Sequence, residues 1–161
     1  MLKQNMLLCK MYYKEIKINT LNEVEFLDIT EKVKESVKES KIKNGHILIQ
    51  PMHTTVGIFL NENEKGLLKD LIDYLSEKIP QIKGKYLHDE IEKRICPPDE
   101  PLNAHSHIKS ALYSNPSLSL ILFEGKLKLG KYQRIFFTEF DGPCPRKCKS
   151  IRKYLISIIG E

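Results

Sequence analysis

The chain lacks three features that would assign it to a specialised class of protein. No apolar stretch approaches the length of a membrane span, so we expect no membrane partner. No run of five or more like charges occurs, and no two cysteines have the C-x-x-C spacing of common zinc and redox sites. A glycine-rich phosphate loop and an aspartate-rich magnesium motif are also missing. These absences favour an ordinary globular protein.

The composition is that of one globular domain, which we expect to span residues 1–161. Hydrophobic residues make up 41% of the chain and charged residues 29%, as is common in such domains. The net charge of +5 is mild and its lysines are scattered, so we expect no nucleic-acid partner. The first residues contain Lys3, Gln4 and Asn5 and lack a small-residue cleavage site, which predicts a cytoplasmic protein.

The cysteines leave two interpretations open. Cys144 and Cys148 are separated by three residues, which is suited to half of a zinc site if histidines supplied the other half. The alternative is that they are reduced thiols with structural or surface roles, as is usual in the cytosol.

Apolar periodicity predicts three helices. The stripe of leucines and isoleucines over Glu64–Ile79 is the clearest, and Pro80 ends it. Glu31–Ser40 is a short charged helix with Thr30 as its expected N-cap, and Asn103–Tyr113 is the third, with Asn103 in the same role.

The remaining apolar segments predict strands that are not regularly interleaved with the helices, so we expect an α+β fold with a compact, β-sandwich-like core and two or three helices. Gln81–Leu102 is polar and contains prolines, which indicates a long loop of the kind that is often functional. The expected strands are Tyr12–Ile18, Ile47–Gln50, His53–Leu60, Ser117–Phe123, Leu127–Phe140 with a kink at Gly130, and Leu155–Ile159.

Polar residues interrupt the apolar pattern of the His53–Leu60 segment. On a strand, His53, Thr55 and Gly57 point to one face, where the missing side chain at Gly57 leaves room for a ligand. The alternative is that His53 is only a capped histidine at a strand edge.

Other histidines lie in the predicted helix and loop. His105 and His107 flank opposite sides of the helical stripe and cannot serve one site, and His88 lies beside Asp89, a carboxylate suited to orienting it. Three separated histidines with Glu62, Glu139 or Asp141 are suited to an open zinc site or to acid–base chemistry.

Five motifs give the chain a specific resemblance to the YjbQ-like family, over about residues 11–161. They occur in the order and spacing of that family and are His53–Asn63 (HTTVGIFLNEN), Tyr86–Asp89 (YLHD), Asn103–Ser110 (NAHSHIKS), Gly125–Ile135 (GKLKLGKYQRI) and Glu139–Pro143 (EFDGP). The resemblance implies a YjbQ-like α+β fold, a homotrimer and a small phosphorylated metabolite as partner. The activity it implies is that of a thiamine-phosphate synthase, which joins a pyrimidine-methyl diphosphate to a thiazole phosphate.

The resemblance also suggests which residues form the site. We expect catalysis from Asn61, Glu62 and Glu139, anion binding from Lys109, Gln133 and Arg146, and a divalent metal, zinc or magnesium, on His53, His88 and His107. The alternative function is a non-catalytic protein that binds a metal or a phosphorylated metabolite.

The chain departs from the family pattern at three places. Lys131 replaces a small hydroxyl residue, and Cys144 and Pro145 precede Arg146, where the family continues with arginines. If those arginines bind an anion, we expect this chain to bind it more weakly or in a different way at Arg146. Lys149–Tyr154 resembles a short insertion before the last strand.

Overall fold

The fold consists of three α-helices and two antiparallel sheets in the part of the chain that the computed structural model describes, residues 9–97, 99–145 and 151–161. This confirms the α+β prediction. No helix in these residues is long and apolar enough to cross a membrane. In chain order the elements are β1 (Lys10–Ile18), β2 (Glu25–Asp28), α1 (Thr30–Ser40), β3 (Gly45–Pro51), β4 (Val56–Glu62), α2 (Lys65–Lys78), α3 (Ala104–Tyr113), β5 (Leu118–Phe123), β6 (Lys126–Leu127), β7 (Gln133–Glu139) and β8 (Arg152–Gly160).

The larger sheet has the strand order β1-β8-β3-β5-β6. Its strands alternate between buried and exposed residues, so that one face forms part of the core. Ile47 pairs with both Leu120 and Ile158 across neighbouring strands, and all three side chains are buried. This register places the whole apolar set of β3, β5 and β8 on the same side.

The smaller sheet has the order β2-β7-β4, and β7 lies at its centre. All of Ile135–Glu139 in β7 is buried, because the strand is covered on both faces. Ile58 and Phe137 from this sheet join Val33 and Val37 of α1 in the core cluster, together with Ile156 of the larger sheet. The core therefore lies between the two sheets and α1.

One predicted detail of the first helix is corrected by the structure. Thr30 is not the N-cap of α1, since Asp28 Oδ1 accepts the hydrogen bond from the Thr30 N–H at 2.9 Å. The Thr30 hydroxyl instead accepts from the N–H of Ile135, which ties the helix to β7. The α2 prediction is close to the observed helix, and Glu64 caps it by accepting from the N–H groups of residues 66 and 67.

Three strand predictions are also corrected. His53 lies before β4 and not in it, because the N–H of Thr55 folds back onto the His53 ring and closes a turn. The predicted space beside Gly57 is filled, since a Cβ there would collide with the Ser114 side chain. The final strand begins at Arg152, so residues 152–154 are strand and not the end of an insertion.

One further strand prediction is corrected, whereas the predicted loop before α3 is observed. Leu127–Phe140 is divided between β6 and β7 by the turn around Gly130. The predicted long loop at residues 81–102 is observed, and it contains two single-turn 3₁₀ helices, Leu87–Asp89 and Ile91–Lys93. The first of these turns brings His88 and Asp89 to the start of α3.

Candidate functional site

A cavity of about 330 Å³ opens where five separate segments of the chain meet. We call it the His53–His107 cavity. The turn before β4, the loop before α3, the first turn of α3, the segment after β7 and the start of β8 all contribute to it. Its lining residues are His53, Thr54, Pro97, Asp99, Glu100, Pro101, Asn103, His107, Asp141, Cys144 and Arg152.

A buried ion pair between Glu139 and Arg152 forms the floor of this region. Arg152 Nε lies 2.7 Å from Glu139 Oε2, and Arg152 Nη2 lies 3.1 Å from Oε1. The side chains are only 2% and 0% exposed. A two-pronged contact of this kind fixes the plane of the guanidinium as well as its charge.

The other bonds of Glu139 leave it little freedom to act as an acid or base. Its Oε1 also accepts from the N–H groups of Phe140 and Asp141, and its Oε2 accepts from the Thr20 hydroxyl. Glu139 is absent from the lining of the cavity. These contacts make it the group that orients Arg152.

Arg152 is connected to His53 through Thr55. Arg152 Nη2 donates to Thr55 Oγ1 at 3.2 Å, and the hydroxyl is 3.0 Å from His53 Nδ1. The N–H of Thr55 also donates to His53 Nδ1, at 3.3 Å. Because a backbone N–H can only donate, Nδ1 is the acceptor, and the ring proton of neutral His53 is on Nε2.

The electrostatic surroundings keep His53 in that neutral form. Partial burial of the ring lowers its pKa below the ordinary value of 6.5, and the positive charge of Arg152 lowers it further. Neutral His53 therefore presents an Nε2–H donor. A metal on Nε2 requires the proton on Nδ1, which the N–H of Thr55 opposes, so this hydrogen-bond pattern does not fit a metal ion on His53.

His107 lies on the first turns of α3 and lines the same cavity. Half-burial lowers its pKa, and the neighbouring His88 lowers it further. The two rings are in edge-to-face contact, with 4.8 Å between their centroids. His107 is therefore neutral near pH 7 and can accept a proton.

His88 belongs to a small polar group at the edge of the cavity. Its Nε2 lies 3.5 Å from Arg94 Nη2 and 3.9 Å from Glu100 Oε1. Arg94 is also paired with Glu100 at 3.3 Å. The three histidines of the predicted metal set thus lie in one region, and His88 reaches the cavity through its contact with His107.

Asp89 and Asn103 position the start of α3 in an unexpected way. Asn103 is at the N-cap position of α3, as predicted, but its side chain makes no capping hydrogen bond. Asp89 Oδ1 accepts from the N–H of Ala104 at 3.0 Å, so the loop supplies the cap. A carboxylate at this end is favoured by the helix dipole as well as by the hydrogen bond.

Lys109 was expected to bind an anionic ligand, but it does not line the His53–His107 cavity. It follows His107 by two residues, which places it about 160° away around the helix axis. Its side chain is buried, and burial lowers its pKa, an effect that nearby Glu23 partly offsets. His105 is buried on the same side, with its Nε2 at 3.2 Å from Glu23 Oε1.

Asn61, Glu62 and Gln133 also lie away from the cavity. They are at the opposite end of the β4–β7 pair from Val56, about 20 Å along the strand at its usual rise. Their side-chain hydrogen bonds are local, since Asn61 Oδ1 accepts from the N–H of Glu62, and Gln133 Oε1 accepts from that of Gly130. The structure does not bring them together with the histidines.

The metal and the remaining anion site are not defined by the described residues. Within residues 9–97, 99–145 and 151–161, no three histidine, cysteine, aspartate or glutamate side chains are close enough to hold a metal ion. The predicted anion-binding Arg146, and Cys148 of the possible zinc pair, lie outside the described residues.

Arg152 is the main functional residue that the sequence analysis missed. The signal for it was present, because Arg152, Tyr154, Ile156 and Ile158 alternate along one strand and all four are buried. An arginine on the buried face of an apolar strand needs a buried partner. The apparent insertion concealed this alternation.

Together the lining residues form two chemical groups. Arg152 and His53 offer hydrogen-bond donors, which suit an anionic oxygen. Asn103, Glu100 and Asp141 offer acceptors, and neutral His107 can take a proton. The His53–His107 cavity is therefore equipped to hold a ligand with an anionic end and to carry out acid–base chemistry.

Comparison with known proteins relates the chain to one protein family. Residues 14–161 match the model of the family described as UPF0047 protein YjbQ-like. A UPF0047 protein from Methanocaldococcus jannaschii is 38% identical over 157 residues, which cover 97% of this chain and 99% of that one. A UPF0047 protein from Archaeoglobus fulgidus is 37% identical, over 83% of this chain and 94% of that one.

Solved structures agree with the fold. A YbjQ-like protein of unknown function from Sulfolobus solfataricus has a TM-score of 0.80 and 33% identity, over 95% of this chain and 99% of that one. A protein of the yjbq/upf0047 family from Clostridium acetobutylicum, described as uncharacterised, has a TM-score of 0.75 and 36% identity, over 90% and 98%.

Proposed function

The chain belongs to the YjbQ-like UPF0047 family, and on that premise we propose that it is an enzyme acting on a small phosphorylated metabolite in the His53–His107 cavity. The observation that carries this proposal is the presence of a neutral, half-buried His107 in the same cavity as the Arg152 guanidinium. A neutral imidazole beside a fixed cation suits proton transfer at a bound anion.

In the proposed mechanism each residue has a separate task. Arg152 and the Nε2–H of His53 bind oxygens of the phosphate or diphosphate group and stabilise negative charge as it develops there. The attacking thiazole nitrogen carries no proton, so His107 acts on the other substrate: it accepts a proton from a ring amino group of the pyrimidine as the diphosphate leaves, and it returns that proton once the new bond has formed. Glu139 and Thr55 do not touch the substrate, and they orient Arg152 and His53 through the bonds described above.

For the reaction itself we propose the thiamine-phosphate synthase type that the resemblance implies. A pyrimidine-methyl diphosphate and a thiazole phosphate are joined by a new carbon–nitrogen bond, and pyrophosphate leaves. Support comes from the two donors, which are suited to the departing pyrophosphate. The homotrimer and a divalent metal stay parts of the proposal, but the metal would have to be held by residues other than His53, whose hydrogen bonds do not fit a metal ion.

The test is a comparison of two histidine variants in an assay of pyrophosphate release from these two substrates. We expect His107→Gln to lower kcat/KM by about 10²- to 10⁴-fold, because the proton acceptor is lost. His46→Gln is the matched control, since His46 is exposed on β3, away from the cavity. It should retain the wild-type rate.

Two results would contradict the proposal. Full activity of a folded His107→Gln variant would remove His107 from the chemistry. Tight binding of the diphosphate to the wild type without any turnover would favour the non-catalytic binding protein instead. Calorimetric titration measures that binding separately from the reaction.

A further inference from the structure

Asn103 carries a buried polar atom without a hydrogen-bond partner. Its side-chain Oδ1 is buried and unpaired within the part of the chain that the structure describes, and the residue is only 5% exposed. An unpaired buried acceptor is costly, so native structures seldom keep one without a reason. Asn103 also lines the His53–His107 cavity.

The orientation of the Asn103 amide is fixed by its neighbours. Its Nδ2 donates to Asp141 Oδ2 at 2.9 Å, which assigns the other atom as the acceptor. Its backbone carbonyl accepts from the N–H groups of Ser106 and His107 and so begins the helix. Asn103 is thus held from both sides, with the carbonyl oxygen of the amide unused.

Asp89, and not the side chain of Asn103, caps the start of α3. An asparagine before a helix normally accepts a hydrogen bond from an N–H in the first turn. Here Asp89 Oδ1 accepts from the N–H of Ala104, and Asn103 makes no cap. The carbonyl of Asn103 is therefore available to a molecule in the cavity.

We propose that Asn103 is a specificity-determining residue that accepts a hydrogen bond from an amino group of the bound metabolite. This inference rests on the proposed function, because it takes the His53–His107 cavity as the substrate site. Asp99 and Glu100 also line the cavity, so hydrogen-bond acceptors lie near Asn103 as well as the donors of Arg152 and His53. A neutral amino group on a nitrogen heterocycle satisfies Asn103 Oδ1 while the anionic end of the molecule meets Arg152.

A metal ion is a poorer partner for Asn103 Oδ1. Asp141 Oδ2 accepts from Asn103 and lies 3.9 Å from Arg152 Nη2. That carboxylate already contacts both groups, and in the described residues no three histidine, cysteine, aspartate or glutamate side chains are close enough to hold a metal ion. An uncharged amino group needs only the one acceptor.

The experiment compares two ligands that differ only in this group. The probes are a 4-aminopyrimidin-5-ylmethyl diphosphate and its counterpart with hydrogen in place of the amino group, titrated by calorimetry against the full chain. We expect the amino compound to bind about 10- to 100-fold more tightly to the wild type, because the counterpart leaves Oδ1 unpaired. Asn103→Ala should bind the two compounds with nearly equal affinity.

Each outcome decides the inference. Equal affinity of the wild type for the two compounds, or binding of neither, would overturn it. Selectivity that is unchanged in Asn103→Ala would place the recognition on another residue and would also overturn it. The wild-type comparison needs no variant, so it holds even if Asn103→Ala does not fold. Selective binding without turnover would leave this inference standing and refute the proposed catalysis.

Discussion

The two ends of the β4–β7 pair hold their polar side chains in different ways. At the end near Val56, Glu139 is fully buried and bonded to Arg152, Thr20 and two backbone N–H groups. At the other end, Glu62 and Gln133 are exposed. Polar residues of both ends were expected in the site, but of those residues only Glu139 bonds to side chains from distant parts of the chain.

The two ends differ in the free energy that is needed to keep their polar side chains in place. Burying a charged group costs free energy unless it is paired, so a buried pair persists only where its geometry is good. Exposed polar side chains at a strand end carry no such cost. The contacts of Glu139 with residues 20 and 152 therefore mark the end that the fold holds rigidly, and this is where a reacting group needs to be held.

The largest effect should follow from breaking the buried pair. We expect Arg152→Met to lower the free energy of unfolding by about 3–5 kcal/mol, because it leaves the Glu139 carboxylate buried and unpaired. Urea denaturation measures this. At the opposite end, Gln133→Ala should change stability by no more than about 0.5 kcal/mol. Similar losses from both variants would remove the distinction between the two ends.

A smaller effect should separate the helix that carries the site from the helix that does not. Asp89→Ala removes the cap of α3, and Glu64→Ala removes that of α2. Each should cost about 1 kcal/mol in unfolding experiments. Only Asp89→Ala should also lower kcat/KM, because His107 depends on the position of α3. If Glu64→Ala lowered the rate as much, the effect would be one of general stability.

The smallest effect concerns pH. The pKa values of His53 and His107 are lowered in the folded protein, so below the ordinary value of 6.5 the unfolded chain binds protons that the folded chain does not. Stability is therefore retained above pH 6.5 and lost as the pH falls through the window between 6.5 and the folded pKa values.

The check is a series of urea denaturation curves across that window. His107→Gln should show a weaker pH dependence than the wild type, and the remaining slope should come partly from His53. A slope that is identical in the two proteins would contradict the lowered pKa of His107. The rate should depend on pH in the same range. Because the pKa of His107 is lowered, kcat/KM should begin to fall only below pH 6.5.

The helices and the fold class could be predicted because they depend on local patterns. The apolar stripe of α2 and the alternation in β1 are visible in consecutive residues, and both elements are observed. The short strand β2 gave no comparable signal, since four residues are too few for a period to show. Its existence depends on pairing with β7.

The site could be predicted only in part, because it is assembled by long-range contacts. His53 and His107 were expected, and they line one cavity. The bond from Asp89 to α3 and that from Arg152 to Glu139 depend on the loop and on β8, whose positions no local pattern specifies. Glu62 and Glu139 are equivalent as residue types in the sequence, and only the register of β4 and β7 separates them.

The most direct test of the distinction between the two ends is a map of ligand binding by NMR. Backbone ¹H–¹⁵N shifts would be followed while pyrophosphate, and then the pyrimidine-methyl diphosphate, is added to the wild-type protein. The account predicts that the shifts concentrate at Thr54, Thr55 and Asn103, around the His53–His107 cavity. Shifts that concentrate instead at Asn61, Glu62 and Gln133 would contradict it.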